Sequence, residues 1–500
     1  MRTPQRVSVV LALLCLHWPG ASFAGNPAPA VRAAAVAKDP IEGTKWLGTL
    51  TAPNGSAVLG LEFRRNAKGD LYALAYLPVM HMFTQPTARV TAKGSDYVLE
   101  DIATHAHLAG DKLSGEALYA HFPFELHRVE AFPPPPDQSP PANLPTGPAP
   151  RWSHDLGAPA WASPVVRDGG LYLGTADGHF HAISATDGHE LWNWMDGTPI
   201  YGDALVTANA IYFINERTEL VRLDRRTGCL RWRVAIDAGR AAATMTPADD
   251  TYSHRTATPV LADGTLYLGS TDGATLALDP ETGATRWRSA TGAAKISSAV
   301  AVSDDRLLVG AMDGTLLALR RTDGKVLWRQ KLPAPIASAP VIDGALAFVG
   351  GRDYQLHAFK LADGSEVWRQ HFWVSWVESV PRVVDDTLYI GSSDLRVARA
   401  LAAKTGAVQW STDVYGSPWG SPVVTASSVY LGVVGATNYP IDHRPSIVAL
   451  DRANGAIRWR RPAAAPSDSA MSGYPGSLAL DGDTLYAAGL DGMLLAIPAR

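Results

Sequence analysis

The chain of 500 residues is too long for one ordinary hydrophobic core, which predicts either a large repeat domain or several domains. Glycine (45 residues) and proline (36 residues) are abundant and charged residues make up only 18%, a composition typical of many short strands joined by tight turns. The formal net charge of −4 provides no basic surface, so we expect no nucleic-acid partner.

The first 24 residues have the organisation of an export signal. Arg2 and Arg6 precede the apolar run 7–16, and small residues around Ala24 supply a cleavage site. The apolar run is too short to span a bilayer as a stable anchor. We therefore expect cleavage after Ala24 and a monomeric, periplasmic or secreted protein that does not span the membrane.

A leader rich in alanine and proline (25–40) precedes a small β-domain over residues 41–131. Turn signals such as Asn54-Gly55 separate its short strand-like segments, which are 46–50, 58–63, 71–77, 87–91, 97–102 and 124–129. This length suits one barrel-like or sandwich core. The run Trp46–Leu50 loosely resembles the Trp-x-Gly-x-Leu β-domain found ahead of some bacterial secreted hydrolases.

Residues 132–150 form a proline-rich linker. Such a segment stays extended and semi-rigid, so we expect it to space the β-domain from the rest of the chain.

From residue 151 onward the motif Gly-x-x-x-Trp recurs seven times. Successive tryptophans are 40, 55, 41, 40, 42 and 49 residues apart, and they are Trp192, Trp232, Trp287, Trp328, Trp368, Trp410 and Trp459. A period near forty with glycine punctuation is the pattern of a β-propeller blade of four short strands. We expect each tryptophan to fill the wedge between adjacent blades.

An eighth unit begins near Ser472 and stops at Arg500 after its third strand. Residues 151–156 match the repeat from its tryptophan onward, with Trp152 in that position, but lack the strands before it. Pairing the two ends closes the ring and removes its open edges. The sequence thus predicts an all-β protein, with an eight-bladed propeller of four-stranded antiparallel blades over 151–500 behind the small β-domain.

These units resemble the quinoprotein-type, or PQQ-like, repeat: Ser-x-Pro-Val-Val, Leu-Tyr-Leu-Gly, Asp-Gly, Ala-Leu-Asp, Thr-Gly, Trp. That family includes quinone-dependent alcohol dehydrogenases and the non-catalytic propeller subunit of the bacterial outer-membrane β-barrel assembly machinery. The resemblance implies the fold and leaves enzyme and scaffold open. Family dehydrogenases hold the quinone beneath a disulfide of adjacent cysteines, above a tryptophan and beside a calcium. This chain has no adjacent cysteines.

Signal cleavage leaves Cys229 as the only cysteine, because Cys15 lies within the signal. A single thiol excludes an internal disulfide and a thiolate-rich zinc site. At the outer-strand position of a repeat, we expect Cys229 to fill a small apolar gap rather than act as a nucleophile.

The innermost strand opens each repeat, and we expect its first residues to face the funnel at the mouth of the channel. Aromatic and charged residues there could hold a planar anionic cofactor, a sugar or a peptide. Alternatively, they only pack and solvate a wide entrance. The candidate ligand-binding residues are Trp161, Tyr201, Asp203, Arg255, Lys295, Trp376, Glu378, Trp419 and Tyr474.

Three loops interrupt the spacing: 237–255, 435–445 and 463–473. Insertions in repeat proteins gather where partners bind, so we expect a rim on one face built from Tyr252, His254, Tyr439, Asp442, His443 and Arg444. Adjacent side chains point apart on an extended chain, which disfavours a metal at Asp442 and His443.

In the β-domain, Met80-His81-Met82 and His105-Ala106-His107 offer thioether and imidazole groups that suit copper. Ordinary packing explains them as well, and we expect no metal.

We therefore expect an exported, non-enzymatic protein that captures a polypeptide or an envelope component without a cofactor. One alternative is a quinone-dependent oxidoreductase with PQQ and calcium, Asp203 or Glu378 as base, and Trp376 or Trp419 stacking on the cofactor. Another is a carbohydrate-binding propeller that uses the same aromatic residues.

Overall fold

The computed structural model describes residues 39–53, 55–100, 104–117, 121–237, 257–436, 441–464 and 471–499. The predicted signal peptide and the residues Arg255, Tyr252, His254 and Tyr439 lie outside these ranges. Two compact units divide the chain: Met1–Asp137 with Asn438–Ile441, and Gln138–Thr437 with Asp442–Arg500. In the described residues, no helix has the length and apolar character needed to cross a membrane.

The first unit is a closed barrel of eight antiparallel strands in sequential order, in which β1 pairs with both β2 and β8. The strands are β1 (Lys45–Ala52), β2 (Gly55–Arg65), β3 (Leu71–Leu77), β4 (Met82–Lys93), β5 (Asp96–Leu99), β6 (Thr104–Ala109), β7 (Lys112–Ala117) and β8 (Phe122–Val129), with a short 3-10 helix at Pro78–Met80. The sequence did not indicate β6 and β7 as strands, because polar and small residues dominate both.

The second unit contains eight antiparallel sheets. Seven have four strands and the sheet of blade 7 has a fifth, and the four main strands are in sequential order in all but the closing sheet. Blade 1 consists of β10 (Val165–Arg167), β11 (Gly170–Gly174), β12 (His179–Ser184) and β13 (Glu190–Met195). Blade 2 consists of β14 (Leu205–Val206), β15 (Ala210–Ile214), β16 (Glu219–Asp224) and β17 (Leu230–Ala235). Blade 3 consists of β18 (Val260–Ala262), β19 (Thr265–Gly269), β20 (Ala274–Leu278) and β21 (Thr285–Ala290).

The next three blades repeat this arrangement. Blade 4 consists of β22 (Ala301–Val302), β23 (Arg306–Gly310), β24 (Thr315–Arg320) and β25 (Val326–Lys331). Blade 5 consists of β26 (Val341–Asp343), β27 (Leu346–Gly350), β28 (Gln355–Lys360) and β29 (Glu366–His371). Blade 6 consists of β30 (Arg382–Val384), β31 (Thr387–Gly391), β32 (Val397–Ala402) and β33 (Val408–Asp413).

The last two blades depart from the simple pattern. Blade 7 consists of β34 (Val423–Val424), β35 (Ser428–Ala436), β36 (Ser446–Asp451) and β37 (Ile457–Pro462), and β38 (Met471–Gly473) pairs with its long strand β35. Blade 8 consists of β39 (Ala479–Asp481), β40 (Thr484–Ala488), β41 (Met493–Pro498) and β9 (Trp152–Asp155). Trp152 pairs with Ala496, so the predicted eight-bladed ring and its mixed last blade are confirmed.

Each repeat tryptophan lies on the outer strand of its blade. In seven of the eight, the indole Nε1 donates to a backbone carbonyl of the following blade, as Trp328 does to Leu361 at 3.0 Å. The same ring lies against the glycine of the next motif: a Cβ on Gly364 would come within 2.6 Å of the Trp328 ring. The expected wedge is confirmed, and it requires glycine opposite each tryptophan.

Cys229 differs from the expectation. It lies in the turn before β17 and is exposed, so it does not fill an apolar gap. Cys229 lies in the turn, just before the sheet begins. The apolar space between the blades is filled instead by Trp232, the third residue of β17.

The end of the proline-rich segment is hydrogen-bonded to the propeller, whereas the sequence predicts a spacer. Arg460 N donates to Pro145 O at 2.9 Å, and Gly147 N donates to Arg460 O at 3.0 Å. Arg461 adds a bond to Pro148 O at 2.9 Å. Residues 145–148 therefore lie along the outer strand of blade 7.

Candidate functional site

One cavity lies where the innermost segments of the eight blades converge. Most of these segments bend once before they enter their blades, and residues on both sides of the bend line the cavity. Each of the eight blades contributes one residue at the same position. It directly precedes a proline or apolar residue, and the inner strand begins just after that. This inner ring consists of Ser163, Asp203, Thr258, Ala299, Ala339, Val380, Ser421 and Ser477. The cavity volume is about 280 Å³.

A second set of side chains lies two residues earlier in each segment, on the same face of the chain. The members that line the cavity form the upper ring: Trp161, Tyr201, Ser297, Ala337, Trp419 and Pro475. Its aromatic residues and its proline come from the consecutive blades 7, 8, 1 and 2. The Trp419 indole donates to Ser393 Oγ at 3.3 Å, which fixes the orientation of its ring. The cavity is therefore aromatic on one side.

Hydrogen bonds join four inner-ring residues into a chain. Ser421 N donates to Ser477 Oγ at 2.8 Å, and Ser477 N donates to Ser163 Oγ at 2.9 Å. Ser163 in turn donates through N and Oγ to the two oxygens of Asp203, at 2.6 and 3.0 Å. This chain crosses three blade boundaries and ends on the Asp203 carboxylate, so Asp203 helps to hold the ring together.

Four of the predicted ligand-binding residues meet in this cavity: Trp161, Tyr201, Asp203 and Trp419. Four other predicted residues do not line it, and these are Lys295, Trp376, Glu378 and Tyr474. Arg255 lies outside the described residues.

Three of the four residues outside the cavity lie earlier in their segments than the upper ring. Lys295 and Trp376 lie two residues before it. Tyr474 lies one residue before it, and its side chain packs in the hydrophobic core shared by blades 7 and 8. Burial raises the pKa of the Tyr474 hydroxyl well above its ordinary value, so it stays neutral there.

Glu378 occupies an upper-ring position but forms an ion pair. Its Oε1 lies 2.5 Å from Arg352 Nε, and the two side chains are only 10% and 12% exposed. The Arg352 guanidinium lies over the Trp376 ring at 4.2 Å from the ring centre. Arg352, which the sequence analysis did not single out, thus binds both the acidic residue and the tryptophan that were candidates for quinone chemistry.

The described residues do not fit an anionic quinone with calcium. Among those that line the cavity, the one ionisable carboxylate is Asp203 and there is no basic side chain, so the field repels an anion. Cys229, the one cysteine of the propeller, is exposed on the outer rim and cannot form a disulfide over the cavity. No group of three or more His, Cys, Asp or Glu side chains in the described ranges could hold a metal ion. We derive no redox step through such a cofactor.

The insertion at 442–445 is held by a buried arginine that the sequence pattern did not indicate. Arg396 is fully buried, pairs with Asp413 Oδ2 at 2.5 Å, and donates to the carbonyl of Asp442. Arg444 forms an ion pair with the Asp442 side chain at 2.9 Å. Asp442 is therefore a structural anchor of the loop.

His105 and His107 are both exposed and lie on one face of β6. His107 Nδ1 lies 2.7 Å from Asp96 Oδ1, and His105 is exposed beside it. Met80 is buried, so its thioether belongs to the packing of the barrel.

Fold and repeat together define a PQQ-like β-propeller protein. The chain belongs to the family described as outer membrane protein assembly factor BamB, whose model matches residues 145–278, 272–356 and 340–500. Among curated proteins, the 1-butanol dehydrogenase (quinone) of Thauera butanivorans is 27% identical over 222 residues, 40% of this chain. That match spans 33% of the length of the dehydrogenase.

Two solved structures share the fold. BamB from Moraxella catarrhalis is 18% identical with a TM-score of 0.54, covering 70% of this chain and 99% of that chain. The quinohemoprotein alcohol dehydrogenase ADHIIG from Pseudomonas putida HK5 is 13% identical with a TM-score of 0.54, covering 70% of this chain and 76% of that chain. At identities this low, the similarity shows a shared fold and does not show a shared function.

Proposed function

We propose that this protein is an exported, non-enzymatic binding protein that holds an extended polypeptide of an envelope component. The outer edge of blade 1 is the docking surface. Family membership supports a role in assembly, and the described residues that line the cavity include no basic side chain for an anionic quinone.

The outer strands of most blades are protected against strand addition. Five of them carry arginine immediately after the repeat tryptophan, namely Arg233, Arg288, Arg329, Arg369 and Arg460. Charged side chains on an edge strand disfavour pairing with another chain. Strand β13 of blade 1 has Asn193 at this position, and its sequence Glu-Leu-Trp-Asn-Trp-Met contains no lysine or arginine.

The same strand exposes large apolar side chains. Leu191 is 49% exposed and Met195 is 61% exposed, the highest value among the exposed large apolar residues of the described ranges. An unprotected apolar edge of six residues is a template for β-augmentation, in which backbone bonds give affinity and alternate side chains give specificity. This edge is the observation that carries the proposal.

A groove beside the edge offers a place for a partner side chain. It lies at the seam of blades 1 and 2, has a volume of about 640 Å³, and is lined by Leu191, Trp192 and Tyr172 on one side and Asn209 and Arg226 on the other. A strand added to β13 would place one of its side chains here.

The test is capture of envelope proteins by the purified chain, measured by mass spectrometry. A double variant, Leu191→Ser with Met195→Ser, should reduce the captured partner at least tenfold. The matched control is Val326→Ser with Leu327→Ser on β25, whose side chains are 44% and 39% exposed but whose strand carries Arg329 and Lys331. Equal capture by both variants, or no stoichiometric partner in repeated experiments, would contradict the proposal.

A further inference from the structure

We propose that the central cavity binds a neutral sugar of about one ring, through the aromatic side of the upper ring and the hydroxyl groups opposite it. This site is separate from the polypeptide edge of blade 1 and does not depend on it.

The aromatic side is built for an apolar face of a ligand. Trp419, Pro475, Trp161 and Tyr201 come from four consecutive blades and line one side of the cavity. The hydrogen bond from Trp419 to Ser393 holds that indole before any ligand arrives. A sugar ring presents C–H groups on its faces, and these pack on indole and phenol rings with little loss of side-chain entropy.

The opposite side supplies hydrogen-bonding groups that the fold leaves unused. Ser297 is 2% exposed, belongs to the upper ring, and its Oγ has no hydrogen-bond partner among the described residues. Leaving a buried hydroxyl without a partner costs about 1–3 kcal/mol. A ligand hydroxyl that bonds to Ser297 Oγ removes that cost, and Ser297 therefore points to a polar ligand.

The inner ring adds further hydroxyls at the base of the cavity, from Ser163, Thr258, Ser421 and Ser477. Hydroxyl groups both donate and accept, so they match the alternating donors and acceptors of a polyol. The hydrogen-bond chain from Ser421 to Asp203 fixes their positions across three blade boundaries.

Charge and size narrow the ligand class. The carboxylate of Asp203 disfavours an anion, and the cavity of about 280 Å³ is smaller than the roughly 300–1,000 Å³ of sites for drug-sized ligands. A quaternary ammonium group has no N–H or O–H and no lone pair, so it offers no hydrogen bond to Ser297 Oγ. Burial raises the pKa of the Tyr201 hydroxyl, which keeps it a neutral donor at physiological pH. These features together favour a neutral ligand with several hydroxyls.

The experiment uses the full chain and saturation-transfer NMR with D-glucose, N-acetyl-D-glucosamine and maltose as probes. Choline serves as the cationic probe and the quinone PQQ as the anionic one. We expect transfer to at least one of the sugars, and weaker binding of choline and PQQ. Absence of transfer to all three sugars, or preferential binding of either charged probe, would overturn the inference.

Variants locate the site. Trp419→Ala should weaken sugar binding at least tenfold, Trp419→Phe should retain most of it, and Ser297→Ala should weaken it several-fold. Ser153→Ala on the exposed part of β9 is the matched control and should change nothing. Melting curves verify that each variant is folded. Binding that is unchanged in both Trp419→Ala and Ser297→Ala would refute this location, whereas the Leu191 and Met195 variant tests the polypeptide edge alone.

Discussion

Gly147 lies against the indole ring of Trp459, and a Cβ on Gly147 would come within 2.6 Å of that ring. Seven other repeat tryptophans meet the glycine of the following motif in the same way. Blade 8 has no turn between its third and fourth strands, because its fourth strand comes from the N-terminal side of the propeller. Gly147, five residues before Trp152, supplies the missing glycine, so the ring is closed by the strand β9 and by the segment that precedes it.

A substitution at Gly147 tests whether the segment before β9 helps to close the ring. Gly147→Val should lower the free energy of unfolding by about 1–3 kcal/mol, because the new side chain displaces the Trp459 ring. Ala149→Val, at an exposed position of the same segment, is the control and should stay within about 0.5 kcal/mol of the parent. Denaturant unfolding measures both, and equal effects would show that residue 147 has no special contact.

The indole hydrogen bonds between blades should contribute measurably to stability. Trp328→Phe removes one of two donors to the carbonyl of Leu361, because Arg306 Nη1 also donates to it at 2.9 Å. We therefore expect a loss of about 0.5–1.5 kcal/mol beyond the loss of ring volume. Trp459→Phe is the matched comparison, because the Trp459 indole makes no such bond to a described residue and its contact is with Gly147. If Trp459→Phe destabilises as much as Trp328→Phe, the hydrogen bond is not the cause.

The contribution of His357 to the stability of the propeller should be larger in mild acid than in base. Burial by itself lowers the pKa of His357, but Asp353 at 2.9 Å and Glu366 at 2.7 Å outweigh it and raise that pKa above the ordinary 6.5. The stabilisation is therefore fully present below pH 6.5 and is lost as the pH rises through the folded-state pKa. His357→Gln should cost more stability at pH 6 than at pH 9, as measured by melting temperature.

His181 occupies the equivalent position of blade 1, but its pKa is shifted in the opposite direction. Burial lowers its pKa below 6.5, and the hydrogen bond that His181 Nδ1 donates to Glu190 Oε1 at 3.0 Å does not compensate. The neutral imidazole is favoured in the fold, so its contribution is present above pH 6.5 and is lost as the pH falls through the folded-state pKa. His181→Gln should cost more stability at pH 8 than at pH 5, and the same trend in both variants would contradict the two assignments.

Cys229 should react with a maleimide in the native protein, because its side chain is exposed in the turn before β17. Labelling should reach one equivalent per mature chain without denaturant. Cys229→Ser should abolish labelling and leave stability within about 0.5 kcal/mol of the parent. A requirement for denaturant would show that the thiol is packed as the sequence pattern first indicated.

The fold was predictable because it repeats. The period, the turn glycines and the tryptophans recur in every unit, so an error in one unit does not change the prediction. Trp152 lies ahead of the first complete repeat, and its position indicates how the last blade is completed. The role of Gly147 was not predictable from the motif, because its spacing from Trp152 is five residues instead of four and it lies in a proline-rich segment that reads as a linker.

The sequence by itself determined the architecture and brought forward the residues Trp161, Tyr201, Asp203 and Trp419, which share the cavity. Only the tertiary structure decided that Tyr474 packs in a core and that Arg352 binds Glu378. It also placed Ser297 on the cavity wall, where its Oγ has no hydrogen-bond partner among the described residues. The physical reason is that the direction of each side chain depends on how its segment bends and packs against the neighbouring blades. No single repeat contains that packing.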